Sequence, residues 1–527
     1  MAVSGGHDYV IVGAGSAGCV LANRLSEDPG TRVLLLEAGG SDRHPNVRIP
    51  AAFAKQFKTR LDWDFETEPE PGCDGRRLFV PRGRSLGGSS SMNAMLYVRG
   101  RPLDYDGWRE AGCEGWGWDD VLPYFLRSEN REGGAGEFHA TGGPLNVADP
   151  RSPSVLTKRF IDASIDHGLP FNPDYNATEQ DGVGVVQVLQ RGGRRWSAAD
   201  AYLRPVSSRP NLTVAARAQA LGIDIDGGRA VGVRYRDRYG RARAVRAQAE
   251  VILAAGAIGS PQLLMLSGIG PADELRALGI EPAHPLPGVG ANLQDHPYCV
   301  AIWESRIGHS LLDAEKPRAL AEFLLRGSGP LTSSVAEAFA FVRSRPGLPA
   351  PDLQYHFAPA YFNENGFDEF DGHAMTMGPV LIAPRSRGRV SLGSADPAAK
   401  PRILGNHLTE PEDVAALVAG TRIAREIAAE GPLAEATGRE IFPGPDVETD
   451  DDIEADVRRR VELLYHPVGT CKMGSDEEAV VDPALRVRGI ERLRVADASV
   501  MPVIPGGNTH APTVMIAEKG ADLIRGG

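Results

Sequence analysis

The sequence predicts an α/β protein: a parallel sheet clad by helices, interrupted by a second domain of mixed strands and helices. Two observations at the N-terminus and one near the middle carry this expectation. "HDYVIVGAG" holds a short unbroken apolar run, Tyr9 to Val12, that enters a glycine turn. "CVLANRLSED" follows with apolar residues at helical spacing, and "TRVLLLEAGG" is a second unbroken run that ends on an acid. Unbroken rather than alternating runs mark strands covered on both faces, as in parallel sheets. Far downstream, "AEVILAAGAIGSPQLLMLSGIG" repeats the order of buried strand, glycine turn and helix, so the first domain resumes there. At 527 residues the chain also exceeds what a single core ordinarily serves.

Between these landmarks, residues 60–150 are rich in Gly, Pro and Trp ("LDWDFETEPEPG", "GCEGWGWDDVLPYF") and read as long loops with short helices. Loops of that length in a compact protein usually have a task. From "PNLTVAARAQALGIDIDGGRAVGVRYRD" onward, alternating apolar residues and turn signals predict β-hairpins. Residues 300–455 mix strand-like pieces ("DLQYHFAPAYF", "RGRVSLGS") with an amphipathic helix ("PEDVAALVAGTRIAREIAAEG") and predict an inserted domain. "RLRVADASVMP" and "APTVMIAEKGADLI" then read as strand, loop and helix.

Bulk properties narrow the function. Hydrophobic residues make up 42% and charged residues 24% of the chain, the balance of a soluble globular protein. The formal net charge is −12 with no long basic run, which argues against nucleic acid as a partner. The short clusters "GGRRW" and "DVRRRVE" are expected on solvated faces. Five cysteines, none in a C-x-x-C pair, suit a reduced compartment. An N-terminus that enters a buried strand within ten residues leaves no room for a signal peptide, and no apolar run approaches a membrane span. The expected location is the cytoplasm, with no stable membrane insertion.

The first motif is Gly13-x-Gly15-x-x-Gly18. In a Rossmann-type unit the first glycine permits the tight turn, the second lets backbone approach a pyrophosphate, and the third lets helix and strand pack closely. The helix N-terminus adds free N–H groups and a positive dipole end. Glu37 ends the next strand, about twenty residues past Gly18, where a carboxylate accepts from a ribose diol and repels a 2′-phosphate. NADP is disfavoured; NAD and FAD both remain.

A second glycine-rich loop, "GRSLGGSSSMNAMLYVRG" (Gly83 to Gly100), is too long for a simple turn. Gly87 and Gly88 let backbone run close to a flat ligand, while Ser89 to Ser91 and Asn93 supply donors. With this loop the chain resembles the glucose–methanol–choline family of flavin oxidoreductases over nearly its whole length. "GRSLGGSSSMN" is similar to that family's first signature and "GAIGSPQLLMLSGIG" (Gly256 to Gly270) to its second. "DWDFETEP", "NLQDHP", "HPVGTCKMG" and "DASVMPVIPGGNTHAPTVMIAEK" follow in the family's order.

The resemblance implies FAD rather than NAD. It also implies a discontinuous FAD-binding domain (1–155, 205–300 and 456–527) and an α+β substrate domain with an antiparallel sheet (156–204 and 301–455). Carried over motif by motif, Gly13, Gly15, Gly18 and Glu37 hold the ADP part of FAD, and Ala220 offers backbone to the adenine. Arg84, Gly87, Gly88, Asn93 and Ala94 line the pyrophosphate and flavin; Asp497, Ala498 and Asn508 close the ribityl and ring side. Met92 stands where some relatives carry a histidine that binds flavin covalently, so non-covalent FAD is expected.

The match is closest to choline dehydrogenases and general alcohol dehydrogenases of the family. It sets His466 ("HP") and His510 (before "PT") beside flavin N5 as the base and its partner. Oxidising R–CH2–OH requires loss of the hydroxyl proton while hydride leaves carbon, and a neutral imidazole suits the first task. A second donor at the same oxygen steadies developing alkoxide charge. Choline-type members generally carry asparagine where His510 stands, which draws this chain toward the His/His pattern of glucose and aryl-alcohol oxidases. The expected activity is FAD-dependent oxidation of a small-molecule alcohol to an aldehyde or ketone, with O2 or another electron acceptor. The alternatives on the same fold are a cyanohydrin-cleaving lyase and a light-driven decarboxylase.

Other residues carry blander expectations. His296 organises the interdomain loop. His356 sits on a strand that either faces the pocket or joins the core. Glu337 is either a structural acid or a partner for a cationic substrate. Cys471, five residues past His466, admits a Cys–His nucleophile, although its motif is structural in the family. No His/Cys/Asp/Glu set has metal-ligand spacing, so no metal is expected.

Overall fold

Val3–Val12 is the central strand of a seven-stranded sheet in the computed structural model, which describes residues 3–526. It pairs in parallel with Val33–Glu37 on one side and with Ala242–Leu253 on the other. Leu212–Ala216 lies parallel to Val33–Glu37 at one edge. Val10, Ile11 and Val33 to Leu36 are buried, as their unbroken apolar runs require. Ala242–Leu253 serves two neighbours. Its first half pairs antiparallel with Arg229–Arg236, which continues to Gln219–Asp226, while Val251 to Leu253 pair in parallel with Leu493–Val495. The expected hairpin is therefore 219–236, turning at Gly227 and Gly228, both at positive φ. Leu212–Ala216 instead joins the parallel sheet, because its apolar side chains cover an edge of the core.

Register aligns the strand ends. Val12 stands opposite Leu36 and Leu253, Leu253 opposite Val495, and Glu37 opposite Ala216. The carboxyl ends thus form one rim, where ligands bind in open α/β sheets. The helix Ser16–Leu25 leaves that rim and packs along the C-terminal helix His510–Gly526, whose first residues also stand at the rim.

The second sheet is antiparallel. Thr437–Phe442, Ala301–Ser305, Ala374–Leu381, Leu353–Ala358, Ala338–Val342 and Gly182–Val185 follow one another in hydrogen-bonded order, while Pro297–Tyr298 also pairs with Ala374–Leu381 and Glu462–Leu463 pairs with Pro297–Tyr298. The helix Pro411–Ala428 covers one face, burying Val414, Leu417 and Ile427 with Leu353, Phe357 and Met377. "RGRVSLGS" joins neither sheet and forms a two-stranded ribbon, Arg389–Ser391 with Arg402–Leu404. Among the described residues, no helix is long and apolar enough to cross a membrane.

Candidate active site

The rim of the first sheet and one face of the second enclose a cavity of about 590 Å³. Thirteen of the fifteen sequence-selected site residues line it; Gly18 and Gly87 do not. Those two act by packing. A Cβ on Gly18 would stand 1.8 Å from the Gly13 carbonyl oxygen, so only glycine lets the first helix close on the first turn. Gly87 has φ +88° and donates its N–H to the Ala14 carbonyl at 2.8 Å. Gly88 then rests on Gly15, where an added Cβ would be 2.7 Å from the Gly15 Cα, so the two glycine loops are locked together. Gly15 itself is open toward the cavity: a Cβ there would meet only one atom, 3.9 Å away.

Glu37 closes this cradle. Its carboxylate accepts from Ala14 N–H at 2.9 Å and Gly39 N–H at 2.7 Å. Burial pushes its pKa up to about 7, against the pull of those two donors and of the Arg84 guanidinium. Ala220 also lines the cavity, two residues past Ala218, whose N–H donates to the Glu37 carbonyl at 2.7 Å. Arg84 stacks over Trp63 at 4.7 Å, and its buried Nε has no protein partner. Asp497 spends both oxygens on protein donors, Ser499 on one side and Gly256 N–H with Ser260 on the other, and so pins the second signature loop to the C-terminal segment. Ala94 and Ala498 line the wall, and Asn93 accepts from Met95 N–H and from Arg195.

Arg195 corrects the reading of "GGRRW" as a solvated cluster. Arg194 is exposed, but the next side chain turns inward and is 1% exposed. Its guanidinium donates to the Val47 and Ser90 carbonyls and to Asn93 Oδ1, while Nη2 is buried without a partner. The two-residue strand Arg194–Arg195 alternates faces, which a composition reading of a short cluster does not resolve.

Both histidines line the cavity, as does Asn508. His466 Nε2 lies 3.2 Å from Asn508 Nδ2, and its Nδ1 lies 3.0 Å from His296 Nδ1. The amide orientation follows from Gln354 Nε2, which donates to Asn508 Oδ1 at 3.4 Å. An amide NH2 can only donate, so His466 Nε2 is the acceptor nitrogen, and its ring proton sits on Nδ1, directed at His296. Asp295 Oδ1 holds both histidine backbones, accepting from His296 N–H at 2.8 Å and His466 N–H at 2.7 Å. Burial drives the His466 pKa well below the usual range, helped by His296, His356 and Arg82, so the ring is neutral. Burial likewise lowers His296 to about 3.

His510 opens the C-terminal helix. Its Nδ1 shares a 2.9 Å hydrogen bond with Ser16 Oγ, and its Nε2 is buried in the cavity without a partner. Burial and then Arg195 lower its pKa to about 4. His356 lines the same cavity, stacked on Phe339 at 4.8 Å, with Nε2 also unpartnered. Sequence reasoning gave His296 only a loop-organising part; its motif "NLQDHP" carried the signal, but the imidazole contact with His466 spans 170 positions of chain.

Two candidates fall away. Glu337 lies outside this cavity, its carboxylate taken by Ser154 N–H, Thr157 and Ser333, so it is a structural acid. Cys471 is fully buried away from the cavity, with its thiol pKa driven far up by burial, which removes the thiolate that a nucleophile needs. Among the described residues, no group of three or more His, Cys, Asp or Glu is placed to hold a metal ion.

A large, partly polar cavity with a glycine cradle at one end and unpartnered Arg84, His356 and His510 nitrogens along its walls fits a dinucleotide with an extended flat ring. Comparison with known proteins agrees. Residues 7–298 and 384–517 match the N- and C-terminal models of the GMC oxidoreductases. The chain is similar to an alcohol dehydrogenase [acceptor] of Pseudomonas putida, 45% identical over 98% of this chain and 95% of that protein. It is similar to oxygen-dependent choline dehydrogenase 1 of Chromohalobacter salexigens, 46% identical over 99% of this chain and 95% of that protein. Pyridoxine 4-oxidase from Mesorbium loti superposes with a TM-score of 0.90 at 34% identity, covering 98% of each chain. Cradle, cavity and these likenesses together establish that the chain belongs to the GMC oxidoreductase family, as an FAD-dependent enzyme.

Proposed function

We propose that this enzyme oxidises an alcohol to an aldehyde or ketone, with His466 Nε2 as the base that takes the hydroxyl proton. One observation carries the reading: His466 lines the cavity with its ring proton on Nδ1 toward His296, so its Nε2 lone pair, held by the Asn508 amide, is the acceptor that an alcohol hydroxyl would take over from Asn508. Bound FAD supplies the two-electron acceptor for the hydride that leaves the carbinol carbon. The chain does the rest. Asn508 and Asp295 fix the base in ring and backbone, and His510 offers Nε2, braced by Ser16 at Nδ1, to the same substrate oxygen. A low-dielectric wall of Phe53, Phe57 and Phe362 excludes water, which strengthens every charge contact made there.

Anaerobic addition of primary alcohols tests the reaction class. Bleaching of the flavin band with one aldehyde formed per flavin is expected. Cleavage of a cyanohydrin with the band intact would replace oxidation by the lyase reading. O2 or another acceptor regenerates the enzyme, and paired peroxide and dye-reduction assays identify which.

Non-covalent FAD is part of the same proposal. Met92 packs on Phe53 and Phe57 where a histidine would be needed for a covalent link. Acid precipitation is therefore expected to leave the yellow chromophore in the supernatant. A yellow pellet would contradict it.

A further inference from the structure

Next to His466 the cavity wall is aromatic. Phe57 lies 5.6 Å from Tyr465, the residue before His466, and Phe53 lies 5.8 Å from Phe57 and 6.0 Å from Phe362. Met92 and Val335 pack on the same rings, and all six side chains line the cavity. Other polar side chains on the lining are consumed by the protein. Tyr298 donates its hydroxyl to Glu462 at 2.8 Å, and Tyr465 donates to Asn365. Thr376 Oγ1 donates to the Ala360 carbonyl at 2.7 Å and accepts from Phe362 N–H, while Ser334 donates to the Ala336 carbonyl at 2.7 Å. Among the described residues, the buried side-chain atoms on the lining that lack a partner are Arg84 Nε, beside the cradle, and the Nε2 atoms of His356 and His510.

Charge follows the same pattern. Two carboxylates line the cavity among the described residues, Glu37 and Asp497, and both are spent on the glycine loops and their neighbours. Glu462 does not line it and is held by Tyr298 and Asn365. Arg82 does line it, with its guanidinium on the Tyr465 carbonyl at 2.6 Å and on Ser89 Oγ at 2.7 Å. The acids that act on Arg82, Asp295 and Asp62, accept from backbone N–H groups and stand off the lining. Aromatic rings alone can hold a quaternary ammonium, but a cation here would face a guanidinium and no free acid. A second hydroxyl on the tail would lose its water and find no partner on the aromatic wall. We propose that the substrate is a neutral monohydric alcohol with an apolar tail: the imidazoles take its one hydroxyl and the aromatic wall takes the tail. This class rests on the oxidation proposed above.

Anaerobic flavin reduction by matched alcohols tests it, read as the second-order rate constant. 3,3-Dimethylbutan-1-ol and choline share a shape and differ by one charge, and the neutral alcohol is expected to react about 10²-fold faster or more. From ethanol to hexan-1-ol the constant is expected to rise about fourfold per CH2, and hexane-1,6-diol to fall about tenfold or more below hexan-1-ol. Phe362→Glu, which sets a carboxylate in the wall, is expected to shrink the preference over choline about tenfold or more, with FAD content reporting the fold. Choline reacting as fast as its neutral partner, or a flat chain-length series, would overturn the class and leave the oxidation standing. So would an FAD-loaded Phe362→Glu enzyme with an unchanged preference. If none of these alcohols reduced the flavin, the oxidation would fall and the class with it.

Discussion

His466→Ala is expected to slow anaerobic flavin reduction by alcohols about 10²–10⁴-fold, the usual worth of a positioned general base, while FAD stays bound. The ring lines the cavity with both its lone pair and its proton assigned by its partners. Its Nε2 meets an amide donor and its Nδ1 meets a second imidazole, so the lone pair and the proton occupy fixed ends. None of the cradle contacts runs through it: Glu37, Gly88 and Asp497 are tied to other residues. FAD content measured at the flavin band should match the wild type, and stopped-flow reduction should not. A reduction rate near the native value would move the base to His510 or His356. His510→Asn, which restores the residue choline-type relatives carry, keeps an N–H donor and serves as the milder comparison.

Gly18→Ala is expected to yield a destabilised protein that retains little or no FAD. The new Cβ would fall 1.8 Å from the Gly13 oxygen, and that neighbour is backbone, not a flexible side chain. Gly13 cannot yield, since it sits at φ +102° against Ala254. Helix and strand must separate, at an overpacking cost of about 1–3 kcal/mol or more, and the N–H groups at the helix start, which on this proposal meet the FAD phosphates, move with the helix. Gly15→Ala makes the contrast. Its Cβ has room in the protein but projects into the space left for the ligand. It should lose FAD affinity with little change in the thermal midpoint. Thermal melts and flavin-to-protein absorbance ratios on both variants separate the two effects; full FAD content in Gly18→Ala would contradict the packing argument.

Local signals were legible where one stretch of chain did the whole job. The strand, glycine turn and acid from Tyr9 to Glu37 could be read directly, because burial on both faces and the tight turn leave their mark on adjacent residues. The parallel place of Leu212–Ala216 could not, since the choice between hairpin and sheet edge is made by a partner strand far away in sequence. His466 and His510 emerged only through the resemblance, because a histidine in a loop says nothing by itself about its neighbours. The tautomer of His466 was invisible for the same reason: it depends on His296, Asn508 and Gln354, three residues from separate segments. Arg195 was misread because one step along a short strand exchanges solvent for interior.

The most direct test is a crystal structure of the FAD-loaded enzyme with a non-oxidisable alcohol analogue in the cavity. The account predicts the analogue's hydroxyl oxygen within about 2.6–3.2 Å of His466 Nε2, with His510 Nε2 on the same oxygen and the carbinol carbon facing the flavin ring. A hydroxyl bound away from both imidazoles, or a ring that His466 does not face, would contradict it.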